Sequence, residues 1–265
     1  MLTKKYYKLI RVSYADSDLF RITNISDQTG TLTITNGGGT LKYSLDGVNF
    51  ETYDFTTHPT ISVPAGGNCY MKGVKENSGS NYLQFSMDVN HSIGGNIMSI
   101  VDETNYATMT SIPDDAFRSM FENDTHIISA IDLNFGNITS VGITSLTSMF
   151  EGCTSLISTP DLSSFTTLEI QSMQSMFQGC TSLAIAPDLS GITSMDRGAM
   201  DFIFLSCTSL TVAYAPTVSP WENTSGWLSG VAASGTLYCP SQAVADLIPN
   251  NDASGCPTGW TKTIL

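Results

Sequence analysis

The chain has 265 residues, which is room for one large domain or two ordinary ones. Hydrophobic residues make up 41% of it, whereas charged residues make up 13%, about half the usual share. The formal net charge of −13 argues against nucleic-acid binding, because a phosphate backbone requires a basic face. No apolar run approaches the roughly 20 residues that cross a bilayer, so we expect no membrane insertion.

The charges are distributed unevenly. Residues 1–118 hold nine Lys/Arg against twelve Asp/Glu, a net charge of −3, whereas residues 119–265 hold two against twelve, a net charge of −10. The N-terminal segment 1–14 lacks an apolar core and a cleavage pattern, so we expect mature structure rather than a signal peptide. Its basic cluster is either a solvated strand edge or a docking contact to an acidic partner; the cluster comprises Lys4, Lys5, Lys8 and Arg11.

Residues 1–90 alternate between short β-prone runs and turn signals. Turn-forming residues occur at 27–30, 37–39, 46–47 and 65–67. Strands at a spacing of about ten residues predict a small β-sandwich, immunoglobulin-like in general build, which would serve as an anchoring domain. The predicted runs are 6–14, 20–25, 31–35, 41–45, 60–63, 69–74 and 82–89. Residues 91–116 would connect this domain to the next.

Four segments of the second half align without gaps, at 117–127, 146–156, 173–183 and 200–210. Their shared aromatic residues are separated by 29, 27 and 27 positions. Ten residues after each aromatic comes a similar segment, Ile-Asp-Leu, Pro-Asp-Leu, Pro-Asp-Leu and a degenerate Tyr-Ala-Pro. This register is the signature of a repeat architecture, and it predicts a leucine-rich-repeat-type solenoid of about four units over 91–216.

One unit is expected to begin with a short helical or 3₁₀ turn, formed around Ser-Met-Phe with one buried face. Gly152 and Gly179 stand where a left-handed terminus is required, and Pro160 and Pro187 enforce an extended segment before them. Stacked units would bury their apolar side chains as ladders about 4.8 Å apart. The predicted core ladders are Phe121, Phe150, Phe177 and Phe204, Cys153, Cys180 and Cys207, and Leu156, Leu183 and Leu210.

The motif Met-Phe-x-Gly-Cys-Thr-Ser-Leu followed by Pro-Asp-Leu resembles the BspA-like class of leucine-rich repeats. That class is common in surface proteins of gut Bacteroidales and in virion proteins of the tailed phages that infect them. The resemblance covers roughly residues 92–265 and implies protein or glycan binding without chemistry. Two positions depart from the pattern: Asp124 replaces the repeated cysteine, and the fourth unit lacks Pro-Asp-Leu. Terminal solenoid units are expected to deviate in this way.

Residues 217–265 are predicted to form a C-terminal cap. They contain all three tryptophans of the chain, Trp221, Trp227 and Trp260. The tryptophans either close the open end of the solenoid, which would otherwise be an aggregation edge, or form an aromatic platform for a sugar or a partner. Ser241 is placed to cap a helix that begins at the following residue.

The residues that carry chemistry in other proteins form no recognisable constellation here. No phosphate loop, HExxH or GxSxG motif occurs in a fitting context. The three histidines are scattered without metal-ligand spacing. Cys239 and Cys256 are close in sequence, and we expect them to be free thiols. We therefore predict a protein that is not an enzyme and needs no cofactor or metal.

The first hypothesis for the function is a phage virion protein, such as a head fibre, capsid decoration or tail-associated protein. Its N-terminal domain would contact other virion proteins, and its solenoid would face a host surface protein or glycan; virion fibres of this kind are often homotrimers. The alternative is a bacterial cell-surface adhesin. Strand alternation predicts an outward binding face of Asp132, Thr159, Asp161, Ala186 and Asp188, although a solvated strip without a ligand is equally consistent with the pattern.

Overall fold

A computed structural model describes residues 18–35, 37–75, 82–218 and 224–265. These residues form sixteen β-strands, two 3₁₀ turns and one short α-helix, and most of the second half is a stack of coils. The predicted fold class, mostly β with short helices and a solenoid, is confirmed. The basic cluster at 4–11, the first predicted run and Trp221 lie outside the described residues.

The N-terminal strands form two antiparallel sheets, in the orders β4-β3-β6-β1-β8 and β5-β2-β7. Buried and partly exposed residues alternate along β1 and β2, as one-sided strands require. The rings of Phe20 and Phe85, one from each sheet, are 5.7 Å apart. The strands are β1 (Phe20–Asn24), β2 (Gly30–Thr35), β3 (Gly39–Ser44), β4 (Glu51–Thr52), β5 (Ile61–Val63), β6 (Asn68–Lys75), β7 (Gln84–Met87) and β8 (His91–Asn96). The immunoglobulin-like build stays a prediction.

Strand β8 lies in the segment that was expected to be a connection. It pairs antiparallel with β1 and parallel with β10 (Ile127–Asn134), so one sheet runs across the predicted boundary at residue 90. The strand was not predicted because it contains two glycines, Gly94 and Gly95, and glycine is depleted in strands. Gly95 has φ 77°, and a Cβ there would overlap the carbonyl of Leu19. Close approach of the two backbones explains Gly95, whereas a Cβ on Gly94 would meet the side chains of Arg21 and Asp132.

Two parallel ladders continue along the coils. The first has the order β13-β12-β11-β9, and the second has the order β14-β15-β16. The first comprises β9 (Ser111–Ile112), β11 (Ser140–Val141), β12 (Thr167–Leu168) and β13 (Ser194–Met195); the second comprises β14 (Val212–Tyr214), β15 (Gly235–Cys239) and β16 (Trp260–Ile264). The 3₁₀ turns are Ile97–Ile100 and Tyr106–Thr108, and α1 is Gln242–Leu247. No helix of the described residues is both long and apolar enough to span a membrane.

The Ser-Met-Phe segments form overlapping single turns closed by i→i−3 bonds, which is the bonding of the predicted 3₁₀ turn, but they do not form a continuous helix. The N–H of Met149 donates to the carbonyl of Leu146 within its own coil (3.2 Å), whereas the N–H of Leu146 donates to Ser172 of the next coil (2.8 Å). Every second N–H therefore serves the neighbouring coil, which a helix does not allow. Every fourth residue is left-handed, as at Ser148 (φ 55°) and Gly152 (φ 73°). The predicted left-handed positions of Gly152 and Gly179 are confirmed.

Identical side chains stack from coil to coil. The rings of the four repeated phenylalanines lie 5.4, 5.5 and 5.7 Å apart, with interplanar angles of 12°, 2° and 9°. Each repeated cysteine thiol donates to a phenylalanine carbonyl one coil earlier, as in Cys180 to Phe150 (3.1 Å). The residues predicted for the ladders are all fully buried; they are Phe121, Phe150, Cys153, Leu156, Phe177, Cys180, Leu183, Phe204, Cys207 and Leu210.

The coil pattern continues beyond residue 216. Phe202 donates its N–H to Ser225, and Gly226 and Gly230 repeat the left-handed positions. The indole N–H of Trp227 donates to the carbonyl of Gly255 (2.9 Å), and that of Trp260 donates to Ala232 (2.8 Å). Both indoles are buried, so they close the core and do not form an exposed platform. The side chain of Ser241 caps α1 by accepting the N–H of Val244, which confirms the predicted cap.

Candidate functional site

The candidate binding surface is a strip along the side of the coils, which we call the isoleucine–aspartate strip. Its acidic members are Asp132, Asp161 and Asp188, which occupy one position in successive coils and are exposed. Oδ1 of Asp161 accepts the N–H of Ser163, and Oδ1 of Asp188 accepts the N–H of Ser190, both at 2.9 Å. These local bonds fix each carboxylate against its own turn. The same orientation is therefore presented in both coils.

Strands were expected along the whole strip, but only its first part, with Asp132, lies on a regular strand, β10. Residues 159–162 and 186–189 have no strand, and the coils are joined beside them by isolated bridges such as Ser129 to Ser158. The regular strands β12 and β13 begin seven residues after the Pro160 and Pro187 positions. Proline lacks the N–H that a ladder needs, so a central strand cannot form through these segments.

The loss of strand geometry changes which side chains reach the surface. Thr159 is only half-buried, but Ala186 is 4% exposed and points into the core. Ala186 therefore does not belong to the outward face that alternation predicted. Strict alternation applies to a pleated strand and fails in an irregular extended segment. Asp132, Asp161 and Asp188 are exposed as expected.

Exposed isoleucines lie close to the aspartates in the sequence, and they were not among the predicted binding residues. Ile131, Ile157 and Ile185 expose 47%, 59% and 40% of their surface. Each precedes an aspartate of the strip by one to four residues. A large aliphatic residue recurring beside an aspartate in each repeat was the available signal. An exposed apolar row with a charged border is the arrangement found at protein interaction surfaces.

The departure at Asp124 has a structural explanation at the start of the solenoid. The first coil has no preceding coil, and Asp124 instead faces β7 and β8. Its Oδ2 accepts the N–H of Met87 (3.3 Å) and lies 3.2 Å from Nε2 of His91. Its Oδ1 accepts the N–H of His126 (3.0 Å). The repeated thiols each donate to one backbone carbonyl, whereas the side chain at position 124 meets several hydrogen-bond donors. A carboxylate can accept from all of them, which a thiol cannot.

A partly buried lysine adds a second contact between the N-terminal sheets and the first coil. Nζ of Lys75 donates to the carbonyl of Asp115 (3.0 Å) and to that of Ala116. Burial lowers the pKa of Lys75 to about 8, and the nearby carboxylate of Asp115 opposes this shift. The ammonium is thus occupied by backbone carbonyls. It joins β6 to the first coil and has no reacting group beside it among the described residues.

Burial also determines the protonation state of the repeated cysteine thiols. Burial raises the pKa of Cys207 to about 12, and it raises those of Cys153 and Cys180 well above the usual value. Such thiols stay protonated and unreactive. All six cysteines are unpaired and buried. Within the described residues, no group of three His, Cys, Asp or Glu side chains is arranged to hold a metal ion.

The fold and the ladders define the class of the molecule: it is a repeat protein with a solenoid built from stacked coils. Residues 113–224 match the family model described as "Mycoplasma protein of unknown function, DUF285". The matched segment coincides with the coils from the first turn segment to the start of the C-terminal region. No curated protein and no solved structure matches the chain.

Proposed function

We propose that this chain is a non-enzymatic adhesion-type module that binds a protein partner through the isoleucine–aspartate strip. The observation that carries the proposal is an exposed isoleucine within four residues of an exposed aspartate in each of three successive coils, with the aspartate anchored to its own turn in two of them, Asp161 and Asp188. The coils stack at about the spacing of neighbouring β-strands. A partner with a periodic or extended surface can therefore meet an equivalent aspartate in each coil.

The chemistry of the strip favours a protein over a nucleic acid or a bare polysaccharide. Exposed isoleucines gain by transfer from water to an apolar contact, at about 25 cal/mol per Å² buried. The aspartates border them, and residues 119–265 carry a net charge of −10. A complementary partner presents apolar side chains surrounded by lysine or arginine, which also accelerates encounter.

The absence of catalysis is part of the same proposal. It is supported by the bonds that the buried and partly buried ionisable groups make: His91 and Asp124 pair with each other, and the partly buried Lys75 donates to two backbone carbonyls. The repeated thiols donate to carbonyls of the preceding coil. Groups committed to such bonds serve packing and register.

The test is binding of the fluorescently labelled full chain to cultured epithelial cells, with and without protease treatment of the cells. The variant Asp161→Asn/Asp188→Asn removes two charges but keeps the oxygen acceptors of both turns. We expect it to weaken binding at least tenfold, and Ile157→Ser/Ile185→Ser to do the same. The matched control is Glu169→Gln/Asp196→Asn, because these exposed acids also occupy equivalent positions in two coils.

Protease treatment of the cells should abolish binding if the partner is a protein. Equal binding by the wild-type chain, the strip variants and the control would refute the role of the strip. Binding that survives protease treatment but disappears after removal of surface glycans would refute the protein partner.

We further propose that the chain is a phage virion protein whose N-terminal domain contacts other virion proteins. This proposal is supported by the resemblance of the repeats to the BspA-like class. The alternative carrier is a bacterial cell surface. Mass spectrometry of purified virions and of surface-shaved bacteria separates the two, because the chain should be found in only one preparation. Sedimentation of the purified chain tests whether it forms a homotrimer.

A further inference from the structure

A small pocket of about 330 Å³ lies where the β2–β7 sheet meets the end of the first coil. We call it the junction pocket. Thr31, Thr33 and Ser86 contribute to it from the outer face of the sheet, and Thr125 and His126 contribute from the coil. Thr33 and Ser86 are direct partners in the β2–β7 register, so their hydroxyls lie side by side.

The pocket carries one carboxylate at its rim. Oδ1 of Asp88 accepts the N–H of Thr31 at 2.6 Å, which orients the group. The same backbone bond is the main cause of the lowered pKa of Asp88. The rim therefore presents an ionised acceptor at neutral pH, next to a row of hydroxyls that both donate and accept.

The lower wall of the pocket is held by buried bonds. Asp124, which lines it, is fixed by His91 and by the N–H groups of Met87 and His126. The side chains of His91 and Asp124 are each 1% exposed. A site supported by packed groups is preorganised, which lowers the entropy cost of binding a small ligand.

The lining selects the chemical class of the ligand. None of the described lining residues is Lys or Arg, and His126 is the one basic side chain among them, so an anionic ligand would meet Asp88 with little counter-charge. Met87 is the single large apolar residue among them, so an apolar ligand would find almost no apolar wall. A compact ligand with many hydroxyls can pair with the threonines, Ser86 and Asp88, and the volume is at the lower end for small-molecule sites.

We propose that the junction pocket binds one monosaccharide unit that is neutral or bears an amine. Asp88 accepts hydroxyl or ammonium hydrogens, and the hydroxyls of Thr33 and Ser86 pair with ring substituents. This site is separate from the isoleucine–aspartate strip. The chain thus combines a protein-binding surface with a sugar-binding pocket.

The test is a titration of the ¹⁵N-labelled full chain with D-galactose, D-glucosamine and D-glucuronate, followed by amide chemical shifts. Galactose and glucosamine should cause saturable shifts at Thr31 and Thr125, and glucuronate should bind at least tenfold more weakly. Asp88→Asn keeps the acceptor of the Thr31 N–H and should weaken glucosamine more than galactose, by about tenfold, since it removes one charge contact.

Ser86→Trp fills the pocket and should abolish the shifts, whereas Ser209→Trp, at an exposed turn far along the coils, should leave them unchanged. Absence of saturable shifts with both sugars, or their persistence in Ser86→Trp, would overturn the proposal. The outcome is independent of the strip, because Asp161→Asn/Asp188→Asn leaves the pocket intact and Ser86→Trp leaves the strip intact.

Discussion

Nε2 of His91 lies 3.2 Å from Oδ2 of Asp124, and the side chains of both residues are 1% exposed. The pair joins β8 to the first coil at the point where the cysteine ladder would otherwise begin. It therefore connects the N-terminal sheets to the solenoid through a His–Asp contact that no other coil contains among the described residues. Its removal should affect both parts together.

Replacing Asp124 by the repeat's own residue tests this pair. Asp124→Cys should destabilise the chain by about 3 kcal/mol, because it leaves His91 and the N–H of Met87 buried without their acceptor. The free energy of unfolding is measured by urea denaturation. The double variant His91→Leu/Asp124→Cys should recover part of the loss. A change below 1 kcal/mol in the single variant would show that the pair contributes little.

The phenylalanine ladder should be the most sensitive part of the core. Phe177→Ala should cost about 3–5 kcal/mol, because rings on both sides, at 5.5 and 5.7 Å, prevent the cavity from collapsing. Ile170→Ala is the control in the same coil; Ile170 is 50% exposed, and its loss should change stability by less than about 0.5 kcal/mol. Equal effects of the two substitutions on the free energy of unfolding in urea would contradict the expected contribution of the phenylalanine ladder to stability.

Two glycines at the same repeat position form a matched pair. Gly152 and Gly179 have φ values of 73° and 72°, so alanine at either should cost about 1–2 kcal/mol through the left-handed backbone alone. A Cβ on Gly152 would also overlap Oδ1 of Asn123, whereas one on Gly179 would have no atom nearer than 3.7 Å. Gly152→Ala should therefore lower the thermal midpoint more than Gly179→Ala. The reverse order would contradict this packing.

Alkaline pH should destabilise the fold through the buried thiols. Burial raises the pKa of Cys69 and of Cys207 to about 12, above the ordinary thiol value of 9.0 that applies in the unfolded chain. A raised folded-state pKa gives stability that is complete below pH 9 and is lost as the pH rises towards 12. Each such thiol should contribute a fall of about 1.4 kcal/mol per pH unit in that window.

Lys75 should raise the free energy of unfolding as the pH rises from 8 to 10.5, opposite to the thiols. Its pKa is lowered in the folded state, so in this window the unfolded chain holds a proton that the folded chain has lost. The several thiols outweigh this single amine. Urea denaturation in reducing buffer at pH 8.5, 9.5 and 10.5 measures the slope. Cys207→Ala should make the slope shallower and Lys75→Met should make it steeper. A stability that is flat or rising above pH 9 would contradict the assignment.

The repeat could be predicted from the sequence because each coil repeats the environment of its neighbour. An aromatic at Phe150 and another at Phe177 imply the same buried position, and stacking turns that identity into a ladder. The turn conformation could not be predicted in the same way. Apolar residues three and four positions apart suit a helix as well as a row of overlapping turns. The choice depends on whether N–H groups bond within the coil or to the next one.

The sequence by itself determined the register of the coils, their buried ladders and the left-handed glycines, because these depend on local geometry repeated along the chain. Only the tertiary structure decided that β8 joins both halves in one sheet, that Asp124 meets His91, and that the junction pocket exists. It also decided that Ala186 is buried in the core and that Ile157 and Ile185 are exposed to solvent. These features depend on backbones that approach from distant parts of the chain, and on prolines that prevent a regular ladder.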